Sequence, residues 1–377
     1  MNKTKTLSVY FTGSGNVKQK VGTLALYKEM LCAFEYDDSW IKTGFSISPF
    51  SLPLEKKVFI PEWEPFGGIY GVFNDSLPDG WGRLLVDRVL AKNHINAEEL
   101  TALDRLAIVG SSGAGALVYE PEQNLEISNS ILDDYDKLAS ECKNILNSKN
   151  SSDLDSLFLA GGSSGGTRPK VNVNMKNEKW IVKFPSTVDS DKIGVQEYKY
   201  FLCAKKCGIE MADCKLFPSE ICDGYFGTKR FDCNPLPVHV VSASGLLETS
   251  HRIPNLDYNT LMLLTMKITN SFSELEKLYR LMCFNVFAHN RDDHSKNFSW
   301  LYNFEKKEWR FAPAYDLTYS NSIGGEHATT VDGEGKTPSF DNLLSVAKKS
   351  GLKESWAKET AMEISCILNN MLGEWIK

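Results

Sequence analysis

The order of its segments is the feature that most constrains how this chain can fold. Short runs of β-branched and aromatic residues, separated by turn residues, fill residues 5–74 and predict strands. From about residue 157 a glycine-rich turn, two strands, one helix and further strands follow, and the remaining sequence has mostly helical spacing. A sheet with one inserted helix, followed by a helical half, predicts an α+β, bilobal fold with a β-rich N-terminal subdomain and a mostly helical C-terminal lobe.

Changes of composition predict the domain boundaries. The sequence becomes polar near residues 125–150, and Pro121 closes the strand before them. We therefore expect a β-rich N-terminal subdomain over residues 1–125. A sheet-containing lobe with the glycine-rich turn should cover residues 126–235, and a helical lobe residues 236–377.

Charge and apolar content restrict the class of protein. With 42 Lys and Arg against 48 Asp and Glu the net charge is -6, which argues against a chain whose main task is to coat nucleic acid. The sequence has no apolar run long enough to cross a membrane, and its start turns polar before a signal peptide could form. We expect a cytoplasmic protein with no membrane contact. Nine cysteines without a CxxC pair favour reduced thiols.

The clearest chemical motif is HNRDDHSKNF at residues 289–298, followed by PAYD, which ends at Asp316. Asp292 and Asn297 are spaced as D-x-x-x-x-N, the pattern by which a phosphoryl-transfer loop supplies a carboxylate for the acceptor hydroxyl and an amide for a metal. Mg²⁺ prefers oxygen ligands and usually takes few carboxylates besides phosphate oxygens, so Asn297 and Asp316 suffice to hold it. Asp292 then orients the hydroxyl. Taken alone, the motif also fits a polar turn that caps helices.

A lysine and a glutamate upstream fit the same chemistry. Lys183 lies in the short apolar strand WIVKFP, from which its ammonium can reach phosphate oxygens of ATP. Glu197 opens the next apolar helix and can pair with Lys183 to fix its rotamer. The alternatives are a charge that protects an edge strand for Lys183 and a first-turn acid favoured by the helix dipole for Glu197.

A glycine-rich loop, GGSSGGTRPK, occupies residues 161–170, and we expect it to lie between strands. Glycines such as Gly165 and Gly166 let the backbone approach a phosphate closely and offer it N–H groups, although the loop does not match the Walker A pattern. Lys170, directly after the loop, either reaches a phosphate or is solvated.

A second turn, in SLPDGWGR at residues 76–83, has a structural interpretation. Pro78, Asp79 and Gly80 have good turn chemistry, and Asp79 or Gly80 begins the following helix. Trp81 would then pack between the lobes rather than act in catalysis.

Together these motifs resemble the HipA-type serine/threonine kinases, the toxins of bacterial type II HipBA-like toxin–antitoxin pairs. The N-terminal part matches through VGTL, AFEYDDSW and SLPDGWGR. The kinase part matches through GGSSGGTRPK, WIVKFP, EYKYFLCAKKCGI, KRFD, DDHSKNF and PAYDL. The resemblance covers nearly the whole chain and implies a bilobal, protein-kinase-like fold that uses ATP and Mg²⁺. By this resemblance Lys183 would contact ATP phosphate, Asp292 would be the catalytic aspartate, and Asn297 with Asp316 would hold Mg²⁺.

The resemblance also implies a hinge and a regulatory site. In KRFD, the backbone near Lys229 and Phe231 would read adenine, and Asp232 would lie near the ribose. In the family a serine of the glycine-rich loop is autophosphorylated, which ejects the loop and silences the kinase. Ser163 or Ser164 matches that position.

The partners, too, are implied by the resemblance. The phosphorylated protein would be an aminoacyl-tRNA synthetase, with glutamyl-tRNA synthetase as the best guess, so that translation would halt. A HipB-like helix-turn-helix antitoxin would bind the chain, and DNA would be contacted only indirectly through that antitoxin. The alternatives are a low-activity, kinase-fold co-repressor or scaffold and a kinase of a lipid or small molecule.

Overall fold

The computed structural model describes residues 3–15, 17–123, 125, 134–149, 151, 153–233 and 236–376. Its strands are β1 Thr6–Phe11, β2 Gln19–Tyr27, β3 Leu31–Tyr36, β4 Val58–Phe59, β5 Leu117–Glu120, β6 Lys170–Met175, β7 Glu178–Lys183, β8 Cys214–Phe217, β9 Tyr225–Lys229, β10 His239–Ser242, β11 Leu256–Asp257, β12 Ser299–Asn303, β13 Glu308–Phe311 and β14 Thr329–Thr330. Its helices are α1 Asp38–Thr43, α2 Gly71–Asn74, α3 Gly80–Lys92, α4 Ala102–Val109, α5 Tyr135–Leu146, α6 Leu154–Gly161, α7 Ile193–Lys206, α8 Ala243–Leu246, α9 Tyr258–Thr269, α10 Phe272–Phe287, α11 Phe340–Lys349 and α12 Glu354–Leu372. The predicted β-rich N-terminal part and helical C-terminal region are confirmed.

The chain divides into two compact units. The first comprises Met1–Gly194, Lys215–Val241 and Gly245–Glu248, and the second comprises Val195–Cys214, Ser242–Ser244 and Thr249–Lys377. The predicted domain boundaries, after residues 125 and 235, adjoin residues 126–133 and 234–235, which lie outside the described residues. Those boundaries stay predictions.

The N-terminal sheet of the first unit has the strand order β4-β3-β2-β1-β5. Alternate residues of β1 (Leu7, Val9 and Phe11) are buried, as the two-residue period of a strand with one core face requires. The ring of Phe11 contacts those of Trp40 and Phe45, each at a centroid distance of 5.5 Å. These contacts build an aromatic core on that face of the sheet.

A second sheet in this unit, ordered β6-β7-β9-β8, carries the predicted nucleotide residues. Val171 pairs with Val182 across β6 and β7, and both are fully buried in a core with Trp81 of α3 and Leu157 of α6. Because adjacent residues of a strand point to opposite faces, the neighbouring pair Lys170 and Lys183 points to the other face.

The glycine-rich loop follows a helix rather than a strand. α6 ends at Gly161, directly before the loop, and β6 begins at Lys170. Our expectation of a strand on both sides was wrong on the N-terminal side, because LDSLFLAG places its apolar residues at helical spacing and buries Leu157.

In the second unit, α10 is the central buried helix. Tyr279 of α10 packs on Trp356 of α12, with ring centroids 5.6 Å apart. Tyr200 of α7 donates a hydrogen bond of 2.8 Å to the carbonyl of Ala288, directly after α10 ends. This contact fixes the end of α10, from which the HNRDDHSKNF segment continues.

No helix in the described part of the chain has both the length and the apolar character that a membrane crossing requires.

Candidate functional site

The site residues predicted from the sequence lie in both units, so each group is described within its own unit. In the first unit, the glycine-rich loop leaves α6 by a tight turn. The backbone N–H and the hydroxyl of Ser164 both donate to the carbonyl of Gly161, at 3.0 and 2.5 Å. Ser163 and Ser164 are partly exposed, and Gly165 and Gly166 are exposed. The loop therefore presents Gly165 and Gly166 to solvent, whereas Gly161 and Gly162 are buried.

The start of α3 contacts this loop directly. Asp79 is the N-cap of α3, as the turn chemistry predicted, yet its side chain makes no capping bond to the helix. Its carboxylate instead accepts a hydrogen bond from the N–H of Gly166. The N–H of Trp81 donates to the carbonyl of Gly166 at 2.8 Å. Both polar backbone atoms of Gly166 are thus bound to the SLPDGWGR segment.

Lys170 and Lys183 face each other across β6 and β7, and they are only 7% and 9% exposed. A Cβ atom placed on Gly166 would lie 2.7 Å from Nζ of Lys170, so this ammonium lies beside the loop. Nζ of Lys183 lies 5.5 Å from the centroid of the Phe226 ring. Like charges directly opposite each other on a sheet are unfavourable unless negative charge compensates them.

These placements exclude two of the alternative interpretations. Lys170 is buried rather than solvated. Lys183 does not guard an edge, because β7 lies between β6 and β9 in the sheet.

The KRFD segment begins at Lys229, the last residue of β9. The Lys229 ammonium pairs with Glu178 at 2.6 Å. Arg230 binds both carboxylate oxygens of Asp232, at 2.9 and 2.6 Å, and the N–H of Gly115 donates to the same carboxylate at 2.7 Å. Burial raises the pKa of Asp232, but the hydrogen bonds and charge of Arg230 and the N–H of Gly115 outweigh it and lower the pKa overall.

Together with Arg230, which donates to the carbonyl of Gly113, Asp232 therefore holds the KRFD segment against residues 113–115. Its ribose contact stays a prediction, as do the adenine contacts of the backbone near Lys229 and Phe231.

In the second unit, the HNRDDHSKNF loop places its two aspartates in opposite environments. The side chain of Asp292 is 63% exposed, whereas that of Asp293 is fully buried. The amide nitrogen of Asn297 donates to the backbone carbonyl of Asp292 at 2.6 Å, which ties the two ends of the D-x-x-x-x-N motif together. Nδ1 of His294 accepts from the N–H of Lys296 at 3.2 Å. His294 therefore braces the loop.

Asp293 anchors this loop to the rest of the unit. Its carboxylate accepts from the hydroxyl of Tyr258 at 3.0 Å, from Nδ1 of His327 at 3.0 Å and from the N–H of Thr329 at 3.2 Å. Facing a carboxylate, Nδ1 is the ring nitrogen of His327 that carries a proton. Asn285 of α10 donates to the Tyr258 hydroxyl at 2.9 Å and so extends the network.

The segment of Asp316 is bound to the HNRDDHSKNF loop by the neighbouring residue, Tyr315. The hydroxyl of Tyr315 donates to the carbonyl of Lys296 at 2.7 Å and lies 2.6 Å from Oγ of Ser299. Asp316 itself has φ of 54°, the left-handed region that few residues other than glycine adopt. The PAYD segment is thus held beside Asn297, and its backbone turns sharply at Asp316.

Glu197 is 3% exposed and lies in α7. The helix begins at Ile193, four residues before Glu197, so Glu197 lies in the second turn and does not open the helix as we expected. The interpretation of Glu197 as a first-turn acid is therefore wrong. Its pairing with Lys183 stays a prediction.

Sequence reasoning missed the residues that hold the two loops but lie far from them in the sequence. Tyr315 had a usable signal, because it lies inside PAYD next to Asp316. Tyr258 and His327 had none, since each is more than thirty residues from Asp293 and lies in a segment without a recognisable motif. The Asp79 contact with Gly166 spans 87 positions and was equally hidden.

The donor set in the second unit fits Mg²⁺. Asn297 and Asp316 offer an amide and a carboxylate oxygen, the hard ligands that this ion prefers. The hydrogen bond from the Asn297 nitrogen to Asp292 fixes the amide, so that its oxygen is the end left for a metal.

The sequence matches two family models, described as HipA N-terminal domain over residues 16–120 and HipA-like C-terminal domain over residues 162–371. A search of curated proteins found no match.

Two of the solved structures that match this chain differ in their similarity to it. A chain of the HipA, HipB and operator DNA complex from the Shewanella oneidensis MR-1 toxin–antitoxin system has 18% sequence identity and a TM-score of 0.70, over 98% of this chain and 90% of that one. The proinflammatory kinase CtkA of Helicobacter pylori has 12% identity over 54% of this chain and 90% of that one. Its TM-score of 0.37 is too low to bear on the fold.

Proposed function

This chain belongs to the HipA family, and from that premise we propose that it is an ATP- and Mg²⁺-dependent kinase that phosphorylates serine or threonine in a protein. The observation that carries the proposal is the construction of the loop in the second unit. The Asn297 amide is tied to the backbone of Asp292, and Tyr315 holds the segment of Asp316 to the same loop at Lys296. A carboxylate and two metal ligands are thereby supplied by one small region.

In this proposal Asn297 and Asp316 hold Mg²⁺, which supplies positive charge to the triphosphate when bound. Asp292 orients the acceptor hydroxyl and accepts its proton. Its exposure suits this task, because a protein acceptor has to reach it from solvent. Asp293 takes no chemical step; its buried carboxylate fixes the backbone from which Asp292 projects.

ATP phosphates would be bound in the first unit by Lys170, Lys183 and the loop glycines. The two lysines are paired across β6 and β7, and the Lys170 ammonium lies beside Gly166, so both would form charge-assisted hydrogen bonds with phosphate oxygens. Glu197 would fix the rotamer of Lys183. The hinge residues Lys229 and Phe231 would read adenine through their backbone.

Regulation by autophosphorylation at Ser163 or Ser164 belongs to the same proposal. A phosphoserine carries about -1.5 to -2 charge at neutral pH, so within this loop it would repel the triphosphate and attract the lysines meant for it. Phosphate on Ser164 would also remove the hydrogen bond from its hydroxyl to Gly161. Mass spectrometry of protein incubated with ATP should find one of the two serines modified in the native chain and neither in Asp292→Asn.

The partners are proposed on the resemblance and on the composition of the similar Shewanella complex. We infer that a HipB-like antitoxin binds this chain and that DNA is contacted only through the antitoxin. We further infer that the acceptor is a cytoplasmic aminoacyl-tRNA synthetase, with glutamyl-tRNA synthetase as the first candidate. Phosphoproteomics after brief expression of the native chain and of Asp292→Asn tests the acceptor. If no synthetase or other translation component gains phosphate with the native chain alone, the acceptor assignment fails.

The kinase activity itself is tested by ATP-dependent phosphoryl transfer in purified protein. Asp292→Asn should lower the transfer rate by at least about a hundredfold. Asp341→Asn, the same change in the first turn of α11, is the matched control and should retain native activity. Equal transfer by the native chain and Asp292→Asn would contradict the catalytic role of Asp292, and no transfer by either would favour the low-activity co-repressor.

A further inference from the structure

The start of α3, residues 79–82, is in direct contact with the glycine-rich loop within the first unit, and we propose that it positions this loop for ATP. We call these residues the α3 clamp. The inference rests on the proposed function, because it assigns the clamp a role in ATP binding. A segment far upstream of the kinase motifs would thereby contribute to the nucleotide site.

The first support is the hydrogen bonding of Gly166. Its N–H donates to the Asp79 carboxylate, and its carbonyl accepts from the N–H of Trp81 at 2.8 Å. A hydrogen bond to a carboxylate is stronger than one between neutral groups. Because Gly166 has φ of +80° and no side chain, these two bonds are what restrains it at this point of the loop.

The second support is the close fit between the two backbones. A Cβ on Gly80 would lie 2.3 Å from the carbonyl oxygen of Gly166, and a Cβ on Gly82 would lie 2.2 Å from that of Ser164. Real Cβ atoms do not approach oxygen so closely, so any larger residue at either position must push the loop away. The glycines of the clamp are therefore what allow the loop to lie against it.

The third support is that the clamp is itself immobilised. Trp81 is 1% exposed, lies in the core beneath the second sheet, and donates from Nε1 to the carbonyl of Lys170 at 3.1 Å. Gly165 and Gly166 are exposed, so this part of the loop has no comparable packing of its own. A buried element thus holds an exposed, glycine-rich segment, and it does so at Gly166, the residue beside the Lys170 ammonium.

Released from the clamp, the loop would sample many conformations, of which few are competent to bind phosphate. The apparent dissociation constant of a ligand rises in inverse proportion to the competent fraction. Loss of the clamp should therefore raise KM for ATP and leave kcat nearly unchanged, since Asp292 and the metal ligands lie elsewhere in the chain. Asp79 is on this reasoning a positioning residue.

The decisive experiment measures hydrogen exchange of the loop peptide and ATP kinetics on the same full-length variants. In ATP-free protein, Asp79→Ala should speed exchange within residues 163–168, and in the kinase assay it should raise KM for ATP by about fivefold. Asp79→Asn keeps an acceptor for the Gly166 N–H and should restore slow exchange and a near-native KM. Native exchange and native KM in Asp79→Ala would overturn the inference.

A second pair of variants separates loop displacement from loss of stability. Gly80→Ala and Gly67→Ala both place a side chain at positive φ, +42° and +67°, but Gly67 has open space around it. Only Gly80→Ala should speed loop exchange and raise KM. Equal effects of the two would refute the clamp. If the native chain transfers no phosphate, the proposed function fails, whereas the exchange data still decide whether the clamp holds the loop.

Discussion

Substitutions of the adjacent residues Asp292 and Asp293 should have different effects: Asp293→Asn should lower stability, and Asp292→Asn should abolish activity. The Asp293 carboxylate is fully buried and accepts hydrogen bonds from Tyr258, His327 and the Thr329 N–H. In Asp293→Asn, one oxygen becomes an NH₂ group that faces donors, so buried hydrogen bonds are lost and the group cannot be solvated instead. Each unsatisfied buried group costs about 1–3 kcal/mol, and we expect a total loss of about 2–4 kcal/mol in the free energy of unfolding.

Asp292→Asn is the matched control, because it makes the same chemical change one residue away at a side chain that is 63% exposed. Its free energy of unfolding should stay within about 0.5 kcal/mol of the native value, while phosphoryl transfer is lost. Thermal unfolding by calorimetry measures the difference, which for a unit of this size corresponds to about 5–15 °C for Asp293→Asn. A loss below about 1 kcal/mol in Asp293→Asn would refute the anchoring role that we assign to this carboxylate.

Three further predictions concern the first unit. Lys183→Met should raise KM for ATP at least about tenfold, whereas Lys179→Met, at an exposed position of the same strand, should not. Asp232→Asn should destabilise the chain by about 3 kcal/mol, because it leaves the buried Arg230 charge uncompensated. The kinase assay gives KM for ATP in Asp232→Asn, and thermal unfolding gives its stability. A rise in KM without the expected loss of stability would favour the ribose contact. Burial raises the pKa of Glu248 from 4.5 to about 7. Between these pH values the folded chain keeps a proton on Glu248 that the unfolded chain has lost, so the free energy of unfolding should fall as pH rises. Glu248→Gln should abolish this part of the pH dependence, about 2 kcal/mol, in melts at pH 5 and pH 8; an unchanged pH profile would contradict it.

Much of the site could be predicted because its motifs are local. Asp292 and Asn297 lie five positions apart, so the loop that carries both also fixes their distance. Lys183 stood out as a charge within an apolar strand, and the strand was found as predicted. The position of Lys170 could not be decided, because a residue after a flexible loop is buried or exposed according to the register of the strand that follows. In the structure that register sets Lys170 opposite Lys183.

The beginnings of two elements were harder to predict, and the reason was tertiary packing. α6 was missed before the glycine-rich loop because a short apolar segment fits strand and helix alike until a partner selects one of them. Here α6 buries Leu157 in the same core as Trp81 of α3. α7 begins at Ile193, four residues before Glu197, which we expected to open this helix and which lies in its second turn.

The fold class and the family could be predicted from the sequence alone, which also marks the candidate site residues. These depend on periodicity and on short motifs, in which the interacting groups are close along the chain. The folded chain was needed to show that Tyr258 and His327 hold Asp293, and that Asp79 binds the glycine-rich loop at Gly166. A hydrogen bond between residues 34 or 87 positions apart forms only because folding brings the two segments together, and a local sequence pattern does not predict such a contact.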